Sequence, residues 1–326
     1  MKDLFAKHQR GILAAAGILA ALALSWTRTF DLYELQTYDW RFQLRGGRPV
    51  SEDIVLVDIW DDTLEALGAW PIDRDYHAAL IQALEAAGAK AVAFDVFFSE
   101  PKPHDEEVTQ SARQAGNVYF GYAFDDPKPG HTIFTAGGFV APLLTSYAAA
   151  AKGTGFLNGK ADMDGKRRRL IPRIEYQGKQ TYHLAFRIAM DLLNVTSLEA
   201  LKVPFDDENC FMINYAGPWE KTFKHYSYLN ILTAYSASLK GEKPGVNLAE
   251  LKDKVCFVGL TSSGSHDASP TPVQAVYPMV GSYANVLNSI LQRDHLRRVD
   301  RWWNLLVLIG LGAWVAYFSS RSRPLA

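Results

Sequence analysis

The alternation of hydrophobic and polar positions is clearest in the segment Ile54–Phe98. The aliphatic run Ile54–Ile59 predicts a buried strand, and Ala91–Phe98 predicts a second one. Between them, apolar residues recur at helical spacing over Tyr76–Ala87, and Gly88 follows where a C-cap belongs. This order predicts a right-handed βαβ unit, with two parallel strands that are adjacent and buried on both faces.

Further apolar runs predict that this unit belongs to a larger sheet. Five more segments have the length and composition of strands: Asn117–Tyr122, Gly155–Asn158, Leu170–Tyr176, Cys210–Tyr215 and Val255–Leu260. Four segments are typical of helices: Asp105–Ala115, Phe139–Ala151, Tyr182–Leu193 and Val280–Leu291. The turn sequence Asp162–Gly165 separates two of the strands and predicts an antiparallel hairpin. We therefore predict an α/β fold, a mostly parallel sheet flanked by helices with an antiparallel hairpin insertion and bounded by transmembrane helices.

The two ends of the chain carry long uncharged stretches. Basic residues precede the run Gly11–Trp26, which predicts an uncleaved signal-anchor helix or, alternatively, a signal peptide cleaved after Ala23. The run Trp302–Phe318 lies between arginines and predicts a second transmembrane helix. The predicted divisions are a cytoplasmic start with its anchor (1–30), an exported domain (31–301), a transmembrane helix (302–319) and a cytoplasmic end (320–326).

Charge and cysteine content narrow the class of protein. The 34 Lys and Arg residues nearly balance the 35 Asp and Glu residues, so a nucleic-acid partner is not expected. The two cysteines, Cys210 and Cys256, form neither a metal-binding motif nor a disulfide framework. We expect both to be small buried residues of strands, although one bridge between neighbouring strands stays open in an oxidising compartment.

Polar side chains stand where the predicted strands end. In doubly wound sheets, ligands bind beyond the carboxyl ends of the strands. Asp58 and Asp95 each follow four apolar residues, so we expect them at one edge of the sheet, with Arg74 as a counter-charge. A structural ion-pair network of the same residues is the alternative. The candidate ligand-binding residues are Asp58, Asp61, Arg74, Asp95 and Asp267.

Two loops carry weaker chemical signals. Asp162–Gly165 opens like a calcium loop, but Arg173 stands at the twelfth position, so a hairpin turn is the better interpretation. The basic run Lys166–Arg169 is more typical of a solvated face than of a patch for lipid headgroups or an acidic ligand. Thr261–Ser265 could cradle a phosphate through backbone N–H groups, but it lacks the ending of a P-loop.

Several motifs together resemble a known family. They are Tyr38-Asp39-x-Arg41, then IVLVDIWDDTLEALGAWPIDRDYHAALIQALEAAGAKAVAFDVFFSEP, and the later GFLN, DMDGKRRR, INYAGP, VGLTSSGSHD and YPMVGSYANVLNSIL. This set is similar to the second of the CHASE families, the cyclase- and histidine-kinase-associated sensory extracellular domains. The resemblance covers about Leu32 to Leu291 and departs from the family pattern at Ile72, Met279 and Tyr283. It implies the input part of a transmembrane bacterial signalling receptor, and it implies no ligand.

These observations predict an extracytoplasmic sensory input module without enzymatic activity or a cofactor. We expect it in the bacterial inner membrane, with its central domain in the periplasm or outside the cell. The output domain, a cyclase, kinase or diguanylate cyclase, is then absent from this chain, which is either truncated or an accessory sensor. Expected partners are membrane lipid, an unknown small-molecule or ionic signal, and a second copy bound through membrane helices. The alternatives are a structural envelope protein and a metal-dependent hydrolase that uses Asp58, Asp61, Asp95 and Asp267.

Overall fold

The computed structural model describes residues 16–21, 23, 31–264, 267–297, 299 and 301–321. The chain divides into two compact units, Phe42–Leu296 and the pair Met1–Arg41 with Arg297–Ala326. The strands are β1 Ile54–Ile59, β2 Ala91–Phe97, β3 Val118–Phe124, β4 Lys128–Pro129, β5 Phe134–Thr135, β6 Phe139–Ala141, β7 Gly153–Phe156, β8 Gly159–Lys160, β9 Arg169–Leu170, β10 Arg173–Tyr176, β11 Lys179–Tyr182, β12 Phe211–Met212, β13 Lys224–Ser227, β14 Val255–Leu260, β15 Ala268–Ser269 and β16 Tyr277–Pro278. The helices are α1 Asp31–Arg45, α2 Asp61–Leu67, α3 Arg74–Ala86, α4 Asp105–Ala115, α5 Thr145–Ala150, α6 Leu184–Leu192, α7 Trp219–Thr222, α8 Tyr228–Leu239, α9 Met279–Leu291 and α10 Arg301–Arg321.

The larger unit is built on a seven-stranded sheet in the order β13-β1-β14-β2-β3-β6, with β7 also paired to β3. All of its pairs are parallel except β3 with β6. The mostly parallel α/β fold is therefore confirmed. The predicted adjacency of β1 and β2 is wrong, because β14 pairs with both of them and lies between them. A crossover helix sets the handedness of the connection between two parallel strands, but it does not require them to be neighbours. A strand from later in the chain can lie between them.

Alternate residues of each strand face two different helical layers. On one face, Val57, Phe94 and Val258 belong to a core with residues of α3, α4, α5 and α8. Phe94 is fully buried, as the assignment of β2 required. The other face carries α9, because a Cβ atom on Gly259 would lie 2.9 Å from the Cβ atom of Val280. Glycine at this position of β14 thus lets the start of α9 lie directly on the sheet.

The predicted hairpin insertion is present but is split between two small sheets. β8 pairs antiparallel with β9 around the turn Asp162–Gly165, which confirms that turn. β12 extends this hairpin, so the predicted strand Cys210–Tyr215 is shorter than expected and does not join the main sheet. The second small sheet has the order β11-β10-β5-β4, in which β10 pairs antiparallel with β11 and parallel with β5. Both cysteines are buried and free, as the preferred interpretation expected, but only Cys256 lies in a strand, because β12 begins at Phe211.

Further elements of the larger unit differ from the sequence prediction. The segment predicted as a helix over Phe139–Ala151 begins as β6, and only Thr145–Ala150 is helical. The pattern also gave no sign of β13, the edge strand beside β1. Its sequence, Lys-His-Tyr-Ser, is short and mostly polar, which suits a strand with one neighbour but does not stand out from a loop.

The terminal segments form the smaller unit. The predicted transmembrane run at 302–319 lies within α10, Arg301–Arg321. Across the described parts of the chain, no helix combines the length and apolar character needed to cross a membrane, so the predicted spans are not supported. Most of the predicted anchor at 1–30, and all of 322–326, lie outside the described residues.

Candidate functional site

A cleft of about 700 Å³ opens at the carboxyl ends of β1 and β14. Trp60 follows β1 directly and Thr261 follows β14 directly, so the two strand ends set the position of the cleft. This is the edge at which parallel α/β sheets bind ligands. Its lining includes Trp60, Asp61, Asp62, Trp219, Glu220, Thr261 and Asp267.

Asp58, at the end of β1, pairs with a histidine that the sequence analysis did not identify. His225 lies on β13, where its Nδ1 is 2.7 Å from Oδ2 of Asp58. Its Nε2 lies 3.0 Å from the carbonyl oxygen of Trp219. Since both ring nitrogens face acceptors, the doubly protonated imidazolium is the form that satisfies both contacts. The half-buried His225 and the buried Asp58 therefore form an ion pair.

The environment of this pair shifts both pKa values upward. Burial by itself would lower the pKa of His225, but the hydrogen bond and the attraction to Asp58 outweigh it and raise that pKa. Burial raises the pKa of Asp58 and outweighs the opposing effect of His225 and the weaker effect of Thr261. The second oxygen of Asp58, Oδ1, is buried, and the Thr261 hydroxyl is a hydrogen-bond donor to the Asp58 carboxyl.

Two tryptophans connect the ion pair to the cleft. The ring of Trp219 makes an edge contact with His225 at 4.6 Å between centroids. The ring of Trp60 lies nearly parallel to the imidazole at 6.4 Å. Trp219 is buried, whereas 36% of Trp60 is exposed, so Trp60 presents aromatic surface to a ligand. Both indoles line the cleft on the side where His225 lies.

The two carboxylates at the start of α2 tie the surrounding loops together. Asp61 Oδ1 accepts a hydrogen bond of 2.9 Å from the backbone N–H of Ser263. Asp62 Oδ2 accepts one of 2.7 Å from the hydroxyl of Ser227, at the end of β13. The Ser263 N–H group, in the loop that the sequence offered as a phosphate cradle, thus already donates to a carboxylate. This contact argues against an anion there.

Asp95 and Asp267 form a second acidic pair. A hydrogen bond joins their carboxyl groups, and desolvation followed by repulsion from Asp267 raises the pKa of Asp95 well above its usual value. Desolvation also raises the pKa of Asp267, against the lowering effect of Arg167. A proton shared by the two carboxyl groups relieves the repulsion between them. Of this pair, Asp267 is the member that lines the cleft.

Strand β14 and the side chain of Val280 separate this acidic pair from Asp58. Asp58, Gly259 and Asp95 occupy one register level on three neighbouring strands, so they share a face. Two strand spacings place the backbones of Asp58 and Asp95 roughly 9–10 Å apart. Val280, at the start of α9, packs on Gly259 between them. The predicted single carboxylate cluster is therefore wrong, because it is divided into two pairs.

Arg74 is not part of the cleft, which corrects a second prediction. It stacks on the ring of Phe98 at 4.2 Å and lies 3.4 Å from Oδ1 of Asp105, which also accepts a hydrogen bond from Tyr147. Phe98 and Tyr147 belong to the core on the α3 side of the sheet. Asp58 points to the opposite side, because strand residues alternate between faces. Arg74 therefore has a structural role.

The same core holds a neutral histidine. His77 is fully buried against aromatic rings, and its Nδ1 lies 2.9 Å from the hydroxyl of Tyr228. Burial, followed by the nearby charge of Arg74, lowers its pKa to about 3. His77 is thus neutral and His225 is positively charged, on the two faces of one sheet. The difference arises because His225 has a carboxylate partner and His77 has none among the described residues.

The basic run after the hairpin turn is not the solvated face that its sequence predicted. Arg168 is 1% exposed. It pairs with Asp162 at 2.9 Å and with Asp164 at 2.7 Å, while Arg169 pairs with Asp162 and Asp206. The Asp-x-Asp-Gly turn therefore supplies carboxylates to arginines of its own return strand. These contacts stabilise the hairpin insertion and leave little free positive charge on it.

Metal binding has no support within the described part of the chain. No group of three or more histidine, cysteine, aspartate or glutamate side chains there is arranged to hold a metal ion. The four carboxylates of the hydrolase alternative, Asp58, Asp61, Asp95 and Asp267, are not brought together around one point. His266, which follows β14, lies outside the described residues.

Comparison with known proteins identifies the class to which this fold and site belong. The CHASE2 domain family matches residues 14–318, nearly the whole chain. The chain is a member of the CHASE2 family, whose domains are sensory rather than catalytic. The comparisons with curated proteins and with solved structures found no match. The resemblance stated from the sequence motifs is thus confirmed.

Proposed function

We propose that this chain is the extracytoplasmic input module of a membrane signalling receptor and that the cleft at the ends of β1 and β14 receives its signal. The observation that carries the proposal is the position of this cleft. It lies at the ligand-binding edge of the sheet, is lined by exposed polar and aromatic side chains, and belongs to a chain of a sensory family.

The start of α9 offers a direct route from the cleft into the core. Pro278 lines the cleft and is followed at once by Met279, the first residue of α9. The helix is buried from Met279 through Ile290 and packs on Gly259 of the central strand β14. A ligand that displaces the cleft wall would therefore move a buried helix. The chain continues from α9 towards α10, so displacement of α9 is the proposed output movement.

The placement of the chain in the cell forms part of this proposal. Its domain lies outside the cytoplasm, with the ends of the chain in contact with membrane lipid and paired with those of a second copy. Membership of the sensory family supports this arrangement. A reporter enzyme that is active only outside the cytoplasm, inserted in the loop at Gly130, should be active. Inactivity at Gly130 with equal protein abundance would contradict the placement.

A reporter fusion tests the sensory function itself. The full chain is fused at Ala326 to a cytoplasmic cyclase domain, and cyclase output is measured at matched abundance of folded protein. Trp60→Ala and Glu220→Gln alter exposed residues of the cleft, so both should change the output severalfold. Glu85→Gln, an exposed change on α3, is the matched control and should leave it unchanged. Equal output from all four proteins would contradict a sensory role for the cleft.

The two other functions weighed from the sequence have less support. A metal-dependent hydrolase requires carboxylates that converge on one ion, and the described residues do not supply such a group. A structural envelope protein requires no cleft. The fusion experiment separates that alternative from the sensor, since a structural protein would give the same output with and without the cleft substitutions.

A further inference from the structure

We propose that the signal received by the cleft is a small organic cation that carries an ammonium group. This inference rests on the proposed sensory function and specifies the chemistry of its ligand. Two features of the lining determine the class of ligand, its charge and its exposed aromatic surface.

The charge of the lining is of one sign. Among the described residues that form the cleft, every acidic or basic side chain is a carboxyl group: Asp61, Asp62 and Glu220, together with Asp267, which shares a proton with Asp95. A cleft lined by one sign of charge concentrates ligands of the opposite sign. Asp61 and Asp62 each direct one oxygen to a neighbouring loop, at Ser263 and Ser227, and these contacts leave their negative charges in place. The cleft therefore favours a cation.

The aromatic surface indicates that the cation is organic. Trp60 is partly exposed, and Val276, which also lines the cleft, is 66% exposed. The face of an indole ring attracts ammonium groups, and tryptophan does so more strongly than other aromatic residues. An apolar valine beside it suits the methyl or methylene groups of such a ligand. A hydrated metal ion would use neither side chain.

The arrangement of the carboxylates leads to the same conclusion. They surround about 700 Å³ of space, and the described residues contain no cluster arranged around a metal ion. Separated carboxylates suit a ligand of several atoms, and clefts of this volume are typical of small-molecule sites. An anionic ligand would meet the negative charges of Asp61, Asp62 and Glu220, and the Ser263 N–H that it would need already donates to Asp61.

Calorimetry with three probes tests the proposal on the purified full chain. Choline supplies a quaternary ammonium group and putrescine a primary one. The alcohol 3,3-dimethylbutan-1-ol has the shape of choline without its charge. We expect at least one cation to bind and the neutral alcohol to bind at least about tenfold more weakly. Trp60→Ala and Glu220→Gln should each weaken binding of the cation about tenfold. Glu85→Gln should leave its Kd unchanged.

Three results would overturn the proposal. They are no binding of either cation, equal binding of choline and its neutral analogue, and equal Kd values in wild type and both folded cleft variants. The cyclase fusion then shows which idea has failed. If its output still responds to Trp60→Ala and Glu220→Gln, only the class of ligand is wrong. If the output does not respond either, the sensory role of the cleft is wrong as well.

Discussion

At the scale of single residues, the unusual feature of the cleft is the histidine beneath its aromatic wall. His225 contacts the Asp58 carboxylate with one ring nitrogen and the Trp219 carbonyl with the other. The Asp58 carboxylate and the Trp219 carbonyl oxygen can only accept hydrogen bonds, so each contact needs a proton on the ring nitrogen of His225. The pair therefore depends on a doubly protonated His225. The charge state of His225 is thus coupled to the packing of Trp60 and Trp219, which form the wall of the cleft.

This coupling predicts that stability falls as pH rises. The pKa of His225 is raised on folding, so its contribution is fully present below the unfolded value of about 6.5 and is lost as pH rises through the folded value. The raised pKa of Asp58 also makes stability fall as pH rises, but at lower pH. Between about pH 6 and pH 8.5, urea denaturation should show a loss of unfolding free energy that depends on His225.

A pair of variants assigns that loss. In His225→Gln the difference in unfolding free energy between the two pH values should shrink by this amount, because glutamine keeps a polar contact without titrating. His131→Gln, at an exposed position, should behave as the wild type does. A pH dependence that is the same in all three proteins would show that His225 is not held as an imidazolium.

At the scale of elements, the site depends on the contact between β14 and α9. Gly259 lies between Asp58 and Asp95 in register, and its missing side chain admits Val280. Because α9 is buried along most of its length, a small change at this contact displaces many other contacts. The same contact keeps the Asp58–His225 pair apart from the Asp95–Asp267 pair.

We predict that Gly259→Ala lowers the unfolding free energy by about 1–3 kcal/mol, because the added methyl group overpacks against Val280. Val280→Ala in the same chain should recover part of the loss, since it removes two of the three atoms that the new Cβ meets, Cγ1 and Cγ2. Gly137→Ala, where an added Cβ meets nothing within 4 Å, is the control. Chemical denaturation measures all three. A loss below about 0.5 kcal/mol for Gly259→Ala would show that α9 does not press on β14.

The elements also show how far the sequence could predict this structure. The strands β1, β2 and β14 were predicted because each is a continuous apolar run with no competing helical spacing. The order of these strands in the sheet was not predicted, because nothing in the sequence Val255–Leu260 shows that β14 lies between β1 and β2. Arg74 was assigned to the wrong face, since a loop that starts at one edge can return to either side. His225 was missed because β13 is polar enough to be taken for a loop.

At the scale of the whole molecule, the cleft is the feature that connects the fold with a sensory role. The sheet has two faces of different character: one packs Arg74, His77 and aromatic rings into a closed core, and the other carries α9 beneath the cleft. Acidic groups on the two faces should then have different consequences when they are neutralised. A change on the closed face should affect stability alone, and a change at the cleft should affect signalling.

The measurement that tests this account most directly compares Asp58→Asn with Asp105→Asn in the cyclase fusion. Asp58 supports the cleft wall through His225, while Asp105 holds Arg74 and Tyr147 on the opposite face. At matched abundance of folded protein, Asp58→Asn should hold the cyclase output in one state, whatever the growth medium. Asp105→Asn should lower the amount of folded protein and leave the output per folded molecule unchanged. Wild-type output from folded Asp58→Asn would contradict the account.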